Sequence, residues 1–225
     1  MGLTLNYIQF FKELAKNNHK DWFDAHKKTY ELEVKKPFYE LTQQVIEQLK
    51  KINSHFDIPV KDAVFRINRD VRFSKDKSPY KLHMAASIST THKKDWNNPD
   101  GIYFHISSEG VMIGGGLYMP DKEVVHALRL AIMNYSNDFK SIITDKKFRE
   151  RLGELEGEKN KIIPAEFKVA AKKQPLIYNK QFYYWREYPG KENITRSDLA
   201  DFITEHYKAS LPFIQFAKQA INEYL

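Results

Sequence analysis

No cysteine occurs in the 225 residues. That excludes a disulfide scaffold, a thiolate zinc site and cysteine catalysis, and it fits a reducing, cytoplasmic setting. Long apolar runs are missing as well. Nothing approaches the roughly 18 apolar residues that a membrane span needs, so no membrane partner is expected. The opening residues, MGLTLNYIQFFKELAKNN, have no basic leader, no long apolar core and no small-residue cleavage site. Asn6 stands where a myristoylation signal carries Ser or Thr. No internal repeat and no low-complexity tract appears. The histidines are scattered, with no HExxH and no close pair at ligand spacing, so no metal and no cofactor is expected. A Gly-x-Ser-x-Gly elbow is absent too.

What the chain has is aromatic mass and positive charge. Apolar residues make up 42%, with 15 Phe and 13 Tyr among them. At roughly 150–250 Å² of buried surface per large ring, these fill a sizeable core. Apolar residues are spread along the whole chain, which excludes disorder. The net charge is +7, which permits a small anionic ligand or a nucleic acid as partner.

Residues 4–17 read as a helix with Thr4 as N-cap and Tyr7, Ile8, Phe11, Leu14 and Ala15 as its apolar stripe. Residues 19–35 read as a second helix, with Trp22, His26, Tyr30 and Val34 four apart. Pro37 opens a third or kinks the second, and Phe38, Leu41, Val45, Leu49 and Ile52 continue at helical spacing. The middle of the chain changes character. Val64 to Ile67 reads as a short strand entering a charged run, and Leu82 to Thr90 alternates loosely and is free of Gly and Pro. Gly101–Ser107 and Val111–Ile113 form a hairpin around Ser108–Gly110. Helices return over 121–135 and 136–152. Residues 153–175 read mostly as loop, and Gln181–Tyr188 as a strand. Thr195–Asp198 approximates a capping box for a C-terminal helix that Pro212 breaks or restarts. The class is α+β: one domain over 1–225, with a mainly antiparallel sheet in the middle of the chain flanked by N-terminal and C-terminal helices.

One run stands out. Residues 66–81 read RINRDVRFSKDKSPYK, with six cations against two aspartates, or +4 of the chain's +7. Arginine's planar fork matches phosphate or carboxylate and keeps its charge. Arg66, Arg69 and Arg72 are therefore candidate ligand contacts. Lys75, Lys77 and Lys81 add point charges, Ser74 and Ser78 add donors, and Tyr80 can stack or donate. Pro79 and the density of Asp and Ser make 70–80 a loop. Asp70 and Asp76 have two readings: pairs for the arginines, which the interleaving favours, or a functional carboxylate, as general base or metal ligand. His83 is the nearest group titrating around neutrality. If chemistry occurs, Asp70, Asp76 and His83 are its candidates.

Two further constellations join this set. Asn18, Lys20 and Trp22 sit at a helix junction where capping and core packing are the simpler roles, with ligand contact the alternative. Gly114-Gly115-Gly116 follows a strand and precedes Pro120-Asp121 and a helix, so Gly115 marks a place where backbone approaches an anion or another chain segment. No Gly-Lys-Ser/Thr follows, so it is not a Walker motif. Phe182 to Trp185 offers rings that stack bases, though strand alternation into a core accounts for half of them.

The segments FRINRDVRFSKDKSPYK, NNHKDWFDAHKKTYE and GGGLYMP resemble, in this order and over most of the chain, the DUF2461 family of uncharacterised bacterial and fungal proteins. The resemblance implies no particular activity, and no catalytic residue is carried over from it. Three readings follow from the residues themselves: binding of, or catalysis on, a small anionic ligand; nucleic-acid binding; and an internal ion-pair network. Arg69→Ala separates the last from the others. It costs roughly 3–5 kcal/mol in a thermal or urea melt if it breaks a buried pair, and little if Arg69 lies open.

Overall fold

The computed structural model describes residues 2–92 and 95–225. Helix α1 (Leu5–Lys16) begins where Thr4 accepts the Tyr7 amide hydrogen on its hydroxyl and ends at Asn17. Helix α2 (Lys20–Ala25) is capped by His19 and closes at His26, short of the continuous helix that the four-residue spacing suggested. A single turn, α3 (Lys27–Thr29), and a π-helical stretch over Tyr30–Lys35 then lead into α4 (Lys36–Ile52), with Pro37 in its first turn. The Lys36 N–H donates to the Glu31 carbonyl five residues back, so Pro37, which has no N–H to give, follows a change of helical register rather than a free helix start.

After a short α5 (Val60–Ala63) come β1 (His83–Ser89), β2 (Gly101–Ser107) and β3 (Gly110–Leu117). Next follow α6 (Lys122–Asn134), α7 (Ser136–Thr144) and α8 (Lys146–Leu152). Then come α9 (Lys168–Lys173), β4 (Phe182–Pro189), α10 (Lys191–Thr195) and α11 (Leu199–Tyr224). The four strands form one antiparallel sheet in the order β1-β2-β3-β4. The α+β class expected from the sequence is what the chain adopts.

The helix expected over 136–152 is two. Asp145 breaks the run and caps α8 by accepting the Phe148 N–H at 2.9 Å. The approximate capping box at Thr195 does not cap. The Thr195 hydroxyl donates back to the Lys191 carbonyl, and Asp198 pairs with Arg196. Pro212 lies inside α11 without ending it.

The chain groups into two compact units. The first comprises Met1–Lys93, Tyr103–Ile113 and Glu187–Thr204. Its core sets Tyr7, Phe11 and Leu14 of α1 and Phe38, Val45 and Leu49 of α4 against Ala86, Phe104 and Ile106 of the sheet, all fully or almost fully buried. The Tyr7 hydroxyl reaches the Ile106 carbonyl at 2.8 Å, so its one buried polar atom is satisfied.

The second unit comprises Lys94–Ile102, Gly114–Arg186 and Glu205–Leu225. Phe182 and Tyr184 of β4 pack there with Leu128, Ile132, Phe139, Phe148, Phe167 and Phe213. Arg129 is buried with no carboxylate partner among the described residues. Its guanidinium donates to the Ile177 and Asn179 carbonyls at 2.8 and 2.9 Å and so pins the turn before β4. Buried Asp100 accepts from the Tyr207 hydroxyl at 2.7 Å and from Lys218 at 2.9 Å.

At the glycine triplet it is another chain segment that comes close. Gly114, Gly115 and Gly116 lie within β3. A Cβ on Gly115 would fall 2.5 Å from the Tyr184 hydroxyl and 2.8 Å from its ring. Gly115 is therefore a packing glycine beneath a fully buried tyrosine. Gly115→Ala is expected to destabilise by roughly 1–3 kcal/mol in urea unfolding, as overpacking does. A loss inside ±0.5 kcal/mol would show that Tyr184 yields freely.

Candidate functional site

The charged run folds into a two-armed ribbon. One arm runs antiparallel to the other, with Val64 opposite Ala86 and Asn68 opposite Tyr80. The amides of Phe65, Arg69 and Lys81 donate to the carbonyls of Ala85, Pro79 and Ile67. Val64, Phe65 and Ile67 suit a pleated, half-buried surface, whereas Asp, Ser and Pro favour the turns between. Both aspartates build those turns. Asp70 accepts the Arg72 N–H at 3.3 Å, and Asp76 accepts the Ser78 N–H at 2.9 Å and the Ser78 hydroxyl at 2.7 Å.

Helix junction and ribbon meet at Asn18. Its side-chain amide donates to the Tyr80 carbonyl at 2.9 Å and accepts the Tyr80 N–H at 3.1 Å. The Tyr80 ring lies flat on Phe23, with centroids 4.0 Å apart. Beside this clasp opens a cavity of about 270 Å³ lined by Ala15, Asn18, Arg69, Asp76, Ser78, Tyr80, Lys81, Leu82 and His83.

Arg69 is the central cation. Its Nη1 donates to the Asp76 carboxylate and to the Ser78 carbonyl at 3.2 Å, and its Nη2 to the Ser74 hydroxyl at 3.4 Å. Three of its five N–H groups are thus engaged, and the other two find no partner among the described residues. Hydrogen bonds from Ser78, then the bond and charge of Arg69, hold the Asp76 carboxyl well below the usual carboxylate range. Asp70 is likewise lowered, chiefly by its hydrogen bonds from Arg72. Both aspartates are therefore ionised and committed to their partners at neutral pH. The pairing read from the interleaved sequence is what the structure contains, but the pairs are exposed: Asp76 at 61%, and Arg72 and Asp70 at 77% and 48%.

His83 is half-buried at the cavity wall and stacks on His105 of β2, with centroids 4.4 Å apart. Burial, then repulsion from His105 and Lys81, brings its pKa down to about 4. Burial lowers His105 also, against the attraction of Glu187. Two stacked rings on adjacent strands share a site most readily when neither is charged, so His83 stands as a neutral imidazole at pH 7.

The structure thus brings Asn18, Arg69, Asp76, Tyr80, Lys81 and His83 to one cavity, with Ser74 behind Arg69. The other candidates lie elsewhere. Arg66 is exposed outside it, its carbonyl accepting from Lys81 at 2.9 Å. Arg72 and Asp70 pair with each other at the ribbon's far end, Lys75 is exposed, and Lys77 donates to the Val71 carbonyl at 3.0 Å. Trp22 stacks on His26, the residue that closes α2, with centroids 4.0 Å apart. Gly115 belongs to the second unit. Sequence reasoning missed His105, because only strand pairing places it beside His83. It also passed over Phe73, which is 95% exposed at the apex. Among the described residues, no group of three or more His, Asp or Glu side chains is placed to hold a metal ion. No described helix is long and apolar enough to cross a membrane.

Two outcomes follow from this geometry. Arg69 is 26% exposed, so Arg69→Ala is expected to cost about 1 kcal/mol in urea unfolding rather than the roughly 3–5 of a buried pair. The second concerns pH. The unfolded chain binds a proton at His83 near pH 6.5 while the folded chain does so near 4, so stability falls as pH drops through that window, by at most roughly 3 kcal/mol. The slope between pH 7 and 5 is expected to flatten in His83→Phe. An unchanged slope would show that the imidazole is not held neutral.

No curated protein matches the chain, and no solved structure matches it. The family model described as "Conserved hypothetical protein (DUF2461)" matches residues 6–216. The match includes the ribbon, the Asn18 junction and the glycine triplet, and on it the chain belongs to the DUF2461 family.

Proposed function

We propose that the cavity between the α1–α2 junction and the ribbon binds a small anionic ligand, phosphorylated or carboxylated. The observation that carries this reading is the cavity itself: Arg69 and Lys81 line it beside a single carboxylate, Asp76. The balance there is one positive charge in excess, with Ser78 and Asn18 among the lining residues and two arginine N–H groups still unused. A volume of about 270 Å³ suits a phosphate, a small carboxylic acid or a sugar phosphate rather than a drug-sized molecule.

An incoming anion competes with Asp76 for the guanidinium. Asp76 therefore holds Arg69 in place when the site is empty and gives way to a better-fitting acceptor. Neutral His83 on the same wall is the group suited to accept a proton from a bound hydroxyl or water, should the ligand also be transformed. Asp76 and Asp70 are poorer bases, because their partners hold them ionised at low proton affinity.

Phe73 favours a second reading, nucleic-acid binding. It projects at the apex with the Arg72 guanidinium 5.7 Å from its ring centroid, and Arg66 and Lys75 are also exposed. An open ring among cations is the composition of a base-stacking surface.

Thermal shift at two salt concentrations tests both readings, with phosphate, citrate, sugar phosphates, nucleotides and short RNA and DNA. A ligand at ten times its Kd stabilises by about 1.4 kcal/mol, or roughly 3–5 °C for a chain of this length. The first reading expects such a shift from a small anion at both salts, lost in Arg69→Ala. Stabilisation by oligonucleotides alone, abolished by salt and by Phe73→Ala, would replace it with the second. No shift from any of them, or equal shifts in Arg69→Ala, would remove the cavity as a ligand site.

A further inference from the structure

The second unit carries an exposed aromatic corner that its packing does not require. Trp96 and Tyr118 remain 40% and 45% exposed. Their centroids lie 6.0 Å apart at 61°, and Tyr118 meets Tyr183 at 5.3 Å and 68°. Two successive steep angles, Trp96 to Tyr118 and Tyr118 to Tyr183, make a corner rather than a flat platform. A base or a sugar ring stacks on one parallel face. A compact cation touches several ring faces at once, drawn by the negative face of each.

The corner is pre-organised. Asn97 clasps Asp121 twice: its amide donates to the Asp121 carboxylate at 2.7 Å and accepts the Asp121 N–H at 2.8 Å. Asp95 caps the turn by accepting the Asn97 N–H at 3.2 Å, and Asn98 accepts the Asp100 N–H at 2.9 Å. Asp100 is in turn anchored by Tyr207 and Lys218. Hydrogen bonds of Asp95, Asn97, Asn98 and Asp100 thus hold the short segment that presents Trp96.

Charge completes the case. Glu156 lies directly opposite Tyr183 across an antiparallel bridge, so the two side chains project to one side. Glu156 is exposed and makes no ion pair among the described residues. Burial, then the charges of Glu156, Tyr118 and Glu158, raise the Tyr183 phenol. Glu158 is already matched by Lys180 at 3.1 Å. In a chain of net charge +7, the free carboxylate beside these rings is Glu156.

We propose that Trp96, Tyr118, Tyr183 and Glu156 form a binding site for a small quaternary ammonium compound, of which choline is the simplest probe. The rings supply cation–π attraction and exclude water from the methyl groups. Glu156 supplies the opposite charge without demanding an N–H donor, which a quaternary nitrogen lacks.

The test is a choline titration of the whole chain, followed by the tryptophan indole N–H resonances, with Trp96 assigned from Trp96→Ala. The neutral isostere 3,3-dimethylbutanol runs in parallel. Choline is expected to shift the Trp96 resonance saturably and to bind about tenfold more tightly than the isostere, the equivalent of about 1.4 kcal/mol. Glu156→Gln, at an exposed position, is expected to weaken choline roughly threefold with an unchanged melt. Equal affinity for the isostere, no saturable shift with choline, or binding of neutral oligosaccharides in its place would overturn the proposal.

Discussion

The candidate site depends on one amide. Asn18 satisfies both backbone groups of Tyr80, and in doing so fixes a residue of the ribbon to the helix junction 62 positions earlier in the chain. The Tyr80 ring on Phe23 adds apolar contact on the same residue. With Tyr80 held, its pairing with Asn68 sets the register of the ribbon, and the register sets where Arg69 projects. A ribbon of two short arms is marginal alone in water, so its order has to come from such tertiary contacts.

Electrostatics at the ribbon is divided between support and availability. Asp70 and Asp76 each form a turn and each pair with an arginine, which accounts for both aspartates without a catalytic role. That commitment is partial on the arginine side, because a guanidinium carries more donors than one carboxylate and two oxygens can occupy. The histidine pair shows the opposite strategy. Burial lowers both His83 and His105, and repulsion from His105 adds to it at His83, so the cavity wall stays neutral at the pH where the arginine and lysine beside it are positive. A site with fixed cations and a neutral imidazole can receive an anion and still hold a proton acceptor.

Much of the fold was legible because local signals and tertiary packing agreed. Thr4 ahead of an amphipathic stripe became a capped helix, and the stripe from Phe38 to Leu49 became the buried face of α4. Signals failed where one residue type had two uses. The glycines at 114–116 left open whether an anion or another chain segment comes close, and only the strand passing beneath Tyr184 decided for the second. Thr195 and Asp198 have the spacing of a capping box, yet each found a nearer partner. The pattern from His19 to Lys35 is periodic throughout, and the π-helical stretch inside it leaves that periodicity almost unaltered.

By itself, the sequence determined the composition of the site and the class of the fold. The density of Arg, Lys, Asp and Ser in one run dictated a turn-rich, ion-paired segment, and the absence of cysteine excluded thiolate chemistry at any geometry. Which residues share a cavity was decided only by tertiary structure. Arg66, Arg69 and Arg72 are chemically alike and evenly spaced, and only the pairing of Asn68 with Tyr80 separates Arg69 from the others. His83 and His105 are 22 positions apart and became neighbours through the alignment of β1 with β2. Trp96 and Tyr183 were brought to one corner by a clasp on Asp121 and a bridge to Glu156. Residue type travels with the chain, but proximity across tens of residues follows from which backbone groups pair, and that is a property of the folded state.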